Sequence, residues 1–196
     1  MVLNLTSYSP ADFIPYTSEI YYSLFANSLK SHFNIHLLTI LLNMTWIWAF
    51  VKKNLSIQLS SLALLWFICG FYFYGTLYAQ INWIAPKMSW PCYIQSLVCL
   101  SLIPISHGLK TTNKSLPSLI IFTVFIALGP AVIWPVFQVM DWNALSFPGL
   151  SSTTLWLLSL ATYLSMPCSS LRFLAILPTL PIILFNIMRF YVFHLF

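Results

Sequence analysis

The chain has 196 residues, of which 60% are hydrophobic and 6% are charged, and its formal net charge is +5. About a quarter of the residues of a soluble domain are charged, so a chain with so few charges cannot cover a water-facing surface. The Lys and Arg residues are spread along the chain, and Lys52 and Lys53 are the nearest to a cluster. This excludes a nucleic-acid-binding protein, which would concentrate basic side chains on one face.

Residues 1–32 form a mixed polar and aromatic N-terminal segment that lacks the basic region of a signal peptide. Ser9 followed by Pro10, with Asp12 three residues after Ser9, is the pattern of a helix start. Pro15 lacks the N–H that a helix interior requires, so we expect two short helical pieces here. Their apolar residues predict a position at the membrane interface.

Residues 33–196 contain six apolar stretches, each close to the length of about 20 residues that a helix needs to cross a hydrocarbon core. The predicted spans are residues 33–51, 60–79, 89–106, 119–140, 150–166 and 171–191. The run 62–79 has neither a charge nor alternating polarity, which argues against a membrane β-barrel. The predicted fold is therefore an all-α polytopic bundle of about six transmembrane helices joined by short loops.

Lys and Arg residues in the loops predict how the bundle is oriented. With six spans, five of these residues fall on one side and three on the other: Lys52, Lys53, Lys110, Lys114 and Arg172 against Lys30, Lys87 and Arg189. The richer side of a membrane protein faces the cytoplasm. We therefore expect both termini outside the cytoplasm, in a bacterial inner membrane, with Arg172 at the cytoplasmic boundary. Trp83, Trp90 and Trp142 would then anchor the outer interface.

The polar residues inside the spans limit the chemistry. No Asp or Glu lies inside a predicted span, which argues against a proton pump or an ion-coupled transporter. Three amide side chains do lie at depth, and they are Asn43, Gln95 and Asn186. They would either bond neighbouring helices or contact a solute. A fourth amide, Asn82, is expected to close the turn between the second and third spans.

Three histidines are the candidate metal ligands. His32 and His36 are four residues apart at the outer end of the first span, and His194 should lie at the same depth. Imidazoles in such a position could bind zinc, copper or haem, although interfacial histidines need no ligand. Because no carboxylate motif supports them, we expect no metal and no cofactor. None of the four cysteines forms a Cys-x-x-Cys pair, so we expect inert thiols.

Two stretches of the chain carry a resemblance to a known family. The first contains Leu65, Trp66, Gly70, Tyr72, the run 81–85 and Gln95. The second contains the run 135–142, the run 147–150, Thr153 and Thr154. Together they extend over about half of the chain and resemble an uncharacterised family of bacterial multi-pass integral membrane proteins, classified as a domain of unknown function. A Pro-Cys-Pro-Thr-like run is usual in that family, and residues 148–154 lack its Cys and second Pro. The resemblance implies a membrane-helix fold and no known substrate or catalytic residue.

The sequence contains no Ser-centred elbow, no phosphate-binding loop and no His-Glu-x-x-His motif. We therefore expect a non-enzymatic accessory or scaffold protein of the membrane. One alternative is a small permease or channel for a neutral or weakly charged solute, because prolines should kink the fourth and sixth spans. A membrane metal- or haem-binding protein is the other alternative. The expected partners are the lipid bilayer and either another membrane protein or a second copy of the chain.

Overall fold

The computed structural model describes residues 14–106, 150–166 and 169–195, and every regular element in these ranges is a helix. No strand occurs within them, so the predicted all-α class is confirmed. The predicted fourth span, residues 119–140, lies outside the described residues. The helices are α1 (Ser18–Ser31), α2 (Phe33–Val51), α3 (Leu55–Ile68), α4 (Ala85–Ser106), α5 (Ser152–Ser165), α6 (Ser169–Ile176) and α7 (Leu180–Leu195).

The polarity of the described bundle is inverted relative to a soluble protein. On α2, Leu41 and Trp48 are 56% and 54% exposed, whereas His36, Thr39 and Asn43 are buried. A soluble helix would turn its apolar face inward and its polar face toward water. The helix is therefore arranged for apolar surroundings.

Four helical stretches of the described chain are long and apolar enough to cross a membrane: Phe33–Val51, Leu55–Gln80, Ala85–Ser106 and Ser170–Arg189. They correspond to the predicted first, second, third and sixth spans. The fifth predicted span contains α5, which has 14 residues and rises about 21 Å, less than a hydrocarbon core. The predicted count of about six is therefore not confirmed.

The second span begins earlier than predicted. α3 starts at Leu55 rather than at residue 60 because the Asn54 side chain caps it, accepting a hydrogen bond of 3.2 Å from the Ile57 N–H. Lys53 before it has a φ of 57°, in the left-handed region. The predicted loop 52–59 is thus reduced to a tight turn.

The third span also begins earlier, at Ala85 rather than at residue 89. Pro91 therefore lies inside α4, beyond its first turn, although the predicted start at residue 89 would have placed it within that turn. Asn82 sets the earlier start, since its carbonyl accepts from the Ala85 N–H at 3.1 Å. Membrane helices accommodate such an internal proline because neighbouring groups can satisfy the freed backbone carbonyl.

The predicted sixth span, residues 171–191, is interrupted. A short 3-10 segment, Leu177–Thr179, joins α6 to α7 and contains Pro178. This break agrees with the kink predicted there from the missing N–H of proline. Pro181 lies in the first turn of α7, where a helix needs no N–H from it.

An irregular stretch follows α3 without a break. Residues Cys69–Leu77 form a π-helix, and a 3-10 turn, Tyr78–Gln80, ends it. A Cβ built on Gly70 would lie 2.9 Å from the Tyr93 ring and 3.0 Å from the Cys92 Cβ. The absence of a side chain at Gly70 therefore allows this stretch to approach α4 closely. π-helices are rare, and they frequently occur at functional sites.

The N-terminal segment packs on the bundle. In the described residues a single helix, α1, follows Pro15, and residues 1–13 lie outside the described ranges. Tyr21, Leu24 and Ser28 are buried at spacings of three and four, which places them on one face of α1. This face lies against α2 and the π-helix, so α1 belongs to the fold rather than lying free on a bilayer.

Candidate functional site

Gln95 lies at the centre of a buried polar cluster that joins three elements. It is fully buried on α4, and its Nε2 donates to the Tyr163 hydroxyl of α5 and, at 2.9 Å, to the Ala175 carbonyl of α6. The Cys99 thiol lies 3.4 Å from the same hydroxyl. One amide therefore fixes α4, α5 and α6 relative to one another.

The carbonyl end of the same amide is different. Gln95 Oε1 is buried, and it has no hydrogen-bond partner among the residues that the structure describes. A buried polar atom without a partner is costly, so natural structures rarely contain one without a reason. Oε1 is therefore the acceptor in this cluster that could serve a polar ligand.

Asn186 forms a second cluster, between α5 and α7. Its Nδ2 donates to the Ser152 hydroxyl at 3.0 Å, and its Oδ1 accepts from the Thr153 hydroxyl at 3.1 Å. The Tyr74 hydroxyl of the π-helix lies 2.8 Å from the Ser152 oxygen. Asn186 thus uses both ends of its amide in bonds between helices.

Arg189 extends this cluster to the N-terminal helix. Its guanidinium donates to the Thr153 hydroxyl at 3.2 Å and to the Tyr21 hydroxyl of α1. The guanidinium carbon also lies 4.4 Å from the centroid of the Tyr21 ring. Such a cation–π contact is stronger where water is excluded. Arg189 therefore ties the first described helix to the last.

His36 belongs to a third cluster, at the other end of α1. Its Nε2 lies 2.8 Å from the Ser28 hydroxyl of α1, and that hydroxyl lies 2.6 Å from the Tyr72 hydroxyl of the π-helix. All three side chains are buried. The Nδ1 of His36 has no hydrogen-bond partner within the described ranges. The cluster is a bonded junction of three elements.

The predicted histidine group is brought together only in part. His32 is exposed at the N-cap position of α2, with its ring 5.4 Å from the Tyr72 ring. The His194 side chain lies outside the described residues. Among the side chains that the structure describes, no group of three His, Cys, Asp or Glu residues could hold a metal ion. Cys69, Cys92 and Cys99 are buried free thiols, and Cys168 lies outside the described ranges.

The other two predicted amides have local roles. Asn43 is buried on α2 and donates from Nδ2 to the Thr39 carbonyl of its own helix at 2.7 Å. Asn82 is buried in the turn before α4, where its Oδ1 accepts from the Ile84 N–H at 2.9 Å. Asn82 therefore closes the turn between α3 and α4.

The hydroxyl groups and indoles that form hydrogen bonds between helices were not singled out from the sequence. Trp46 and Trp66 are fully buried, and they donate to Thr162 at 3.0 Å and to Ser159 at 2.9 Å. On α5 the hydroxyls at Ser152, Ser159 and Thr162 recur at helical spacing, so they lie along one buried side. That spacing was the available signal for these contacts.

Comparisons with family models, with curated proteins and with solved structures found no match for this chain. The resemblance to the uncharacterised bacterial membrane family therefore stays a prediction.

Proposed function

We propose that the chain is a non-enzymatic accessory or scaffold protein of a bacterial inner membrane. The observation that carries the proposal is the direct bonding of buried and half-buried side chains across helices. Gln95 bonds two neighbouring helices, Asn186 bonds α5, and Trp66 bonds the same helix. Bonds of this kind hold helices in one arrangement when the surroundings are apolar.

The arrangement of charges supports the same role. The four membrane-crossing candidates are rich in apolar residues, and none of them contains an Asp or Glu. Proton relays and ion-coupled carriers use ionisable groups at depth. Membrane-crossing helices that lack acidic side chains and are bonded to one another suit a protein that binds beside another membrane protein.

The topology belongs to the proposal as well. The four helices that could span a membrane, α5 and the stretch 119–140 would together make six spans. With an even number of spans, both termini lie on the same side of the membrane. The loops on the opposite side contain more Lys and Arg and would face the cytoplasm, so the termini would lie outside it.

A small permease for a neutral solute is the second candidate. It is favoured by the partnerless Gln95 Oε1 described above and by the π-helix that contributes Tyr72 and Tyr74 to two of the clusters. Irregular helix and an acceptor at depth are features of solute paths in membranes.

Two measurements separate the candidates. The tagged full-length chain would be purified in mild detergent, and each co-purifying protein would then be tagged and purified in turn. We expect one membrane protein at a constant ratio in both directions. We also expect proteoliposomes of the chain alone to be as impermeable to glycerol and urea as empty vesicles. Faster swelling, abolished by Gln95→Leu but not by Gln80→Leu, would support the permease and contradict the scaffold.

A further inference from the structure

A cation and two indoles share the outward side at the start of α4. Trp83 lies in the turn before α4, whereas Lys87 and Trp90 are three residues apart within α4, the spacing that aligns side chains on one face of a helix. Trp83 is 60% exposed and Trp90 is 68% exposed. The Lys87 ammonium lies 5.2 Å from the centroid of the Trp83 ring, within the range of a cation–π contact.

An aromatic surface continues from this group along the adjoining helices. The Trp90 ring lies 6.2 Å from the Tyr93 ring, and Tyr93 lies 5.7 Å from Phe67 of α3. Phe67 in turn stacks on Phe71 at 6.2 Å, with an angle of 3° between the ring planes. Gly70 of the π-helix lies against the Tyr93 ring, so this ring fills the space between the π-helix and α4. The exposed Phe67 and Phe71 rings line one side of this aromatic groove.

We propose that this aromatic groove binds one anionic phospholipid, with its phosphate at Lys87 and an acyl chain along Tyr93, Phe67 and Phe71. The inference rests on the membrane insertion proposed above and is independent of the scaffold role. The arrangement of the residues matches that of a phospholipid. One positive charge and two indole N–H groups would contact the headgroup, and the apolar rings beyond them would contact the acyl chain. Trp at membrane interfaces sits at the level of the headgroups.

Charge favours an anionic headgroup over a zwitterionic one. The exposed Lys87 ammonium, which lies over the Trp83 ring, places a positive charge at the start of the groove. Basic residues at a membrane surface attract anionic lipids. A phosphate that carries net negative charge complements Lys87, whereas a phosphocholine group brings its own cation.

A lipid fits this face better than a neighbouring protein helix does. Helices that pack together in membranes approach through small residues, because their backbones must come close. Here the exposed side chains on the groove are bulky rings: Trp90, Phe67 and Phe71 are each more than half exposed. A flexible acyl chain can follow such an uneven surface.

Native mass spectrometry of the full chain in detergent tests the inference, with phosphatidylglycerol and phosphatidylcholine added separately. We expect phosphatidylglycerol to bind about fivefold more tightly, the preference that one lysine near the headgroups provides. Lys87→Gln should lower phosphatidylglycerol binding to the phosphatidylcholine level. The matched control Lys30→Gln, at an exposed position on α1, should retain the preference.

Two further outcomes would overturn the lipid site. They are equal binding of both lipids by the unaltered chain, and an unchanged preference in Lys87→Gln. A photoreactive residue in place of Trp90 provides a second readout in cells, where cross-linking to a polypeptide instead of a lipid would contradict the inference. A chain that stays in solution without detergent and takes up neither lipid would refute membrane insertion itself.

Discussion

The buried Gln95 side chain forms hydrogen bonds to two helices that are distant from it in the sequence. Its amide donates to the Tyr163 hydroxyl and to the Ala175 carbonyl, and the side chain is fully buried. Replacing a hydrogen-bonded group in such a place leaves its partners unsatisfied. Substitution of Gln95 therefore tests whether these hydrogen bonds stabilise the packing of α4 against α5 and α6.

Gln95→Leu should destabilise the protein by about 1–3 kcal/mol, because two buried groups lose their donor. The matched control is Gln80→Leu, since Gln80 is exposed at the end of the 3-10 turn. Thermal unfolding in detergent measures both variants. Equal melting temperatures for the two would show that the Gln95 amide does not hold the helices together.

The Trp66–Ser159 bond offers a pairwise measurement. The indole N–H donates to the serine hydroxyl at 2.9 Å between two fully buried residues. A double-mutant cycle of Trp66→Phe and Ser159→Ala isolates the bond from the packing of each side chain. We expect a coupling energy of about 0.6 kcal/mol, as is average for membrane interiors. Purely additive effects would argue against the bond.

At the scale of elements, α1 depends on a few polar contacts. Ser28 bonds His36 and Tyr72, while Tyr21 bonds Arg189 at the other end of the helix. A helix of 14 residues is marginal alone in water, so its stability must come from this docking.

Ser28→Ala should loosen α1, because a single hydroxyl provides both bonds at that end. Hydrogen exchange by mass spectrometry should show the α1 amides exchanging roughly tenfold faster, the effect of about 1.4 kcal/mol. Ser23→Ala is the control, as the exposed Ser23 hydroxyl bonds only locally, to the Ile20 carbonyl. Unchanged exchange in Ser28→Ala would mean that apolar contacts alone hold α1.

The π-helix places two tyrosines in different clusters. Tyr72 reaches Ser28 and Tyr74 reaches Ser152, although both belong to one helical turn. A π-helix contains more residues in each turn than an α-helix, so one residue fewer would return the segment to α-helical register. The contacts on either side would then no longer align.

Deletion of Thr76 should therefore cost at least about 2 kcal/mol of unfolding free energy, since it breaks several buried contacts together. Thr76→Ala keeps the register and removes the exposed methyl and hydroxyl groups, of which the hydroxyl bonds the Phe71 carbonyl at 3.1 Å. The comparison uses denaturant unfolding in detergent. A deletion variant as stable as the unaltered chain would show that the π-helix is dispensable.

At the scale of the whole molecule, the topology is the strongest consequence of the proposal. Both termini should lie outside the cytoplasm if six spans are present. Alkaline phosphatase fused at either end, which is active only outside the cytoplasm, should report activity at both positions. Inactivity at both ends would invert the orientation, and activity at one end alone would refute an even number of spans.

The helical class and several membrane-crossing stretches could be read from the sequence, because hydrophobicity and length are local properties of a segment. The turn role of Asn82 was equally local, since its side chain bonds an amide two residues away. The start of α3 was missed because a single Asn54 cap outweighed the polarity of the residues that follow it. The three amides at depth were recognisable because polar side chains are uncommon in such stretches.

The partners of those amides depended on the tertiary structure. Gln95 bonds groups that are 68 and 80 residues away, and Tyr21 bonds a group 168 residues away. Such pairs require two helices to be neighbours and to be rotated correctly about their axes, which no local pattern specifies. The π-helical register is likewise set by contacts on both of its sides, at Gly70 and at Ser152. Local composition therefore determined where the helices lie in the chain, and nonlocal packing determined which of their polar groups meet.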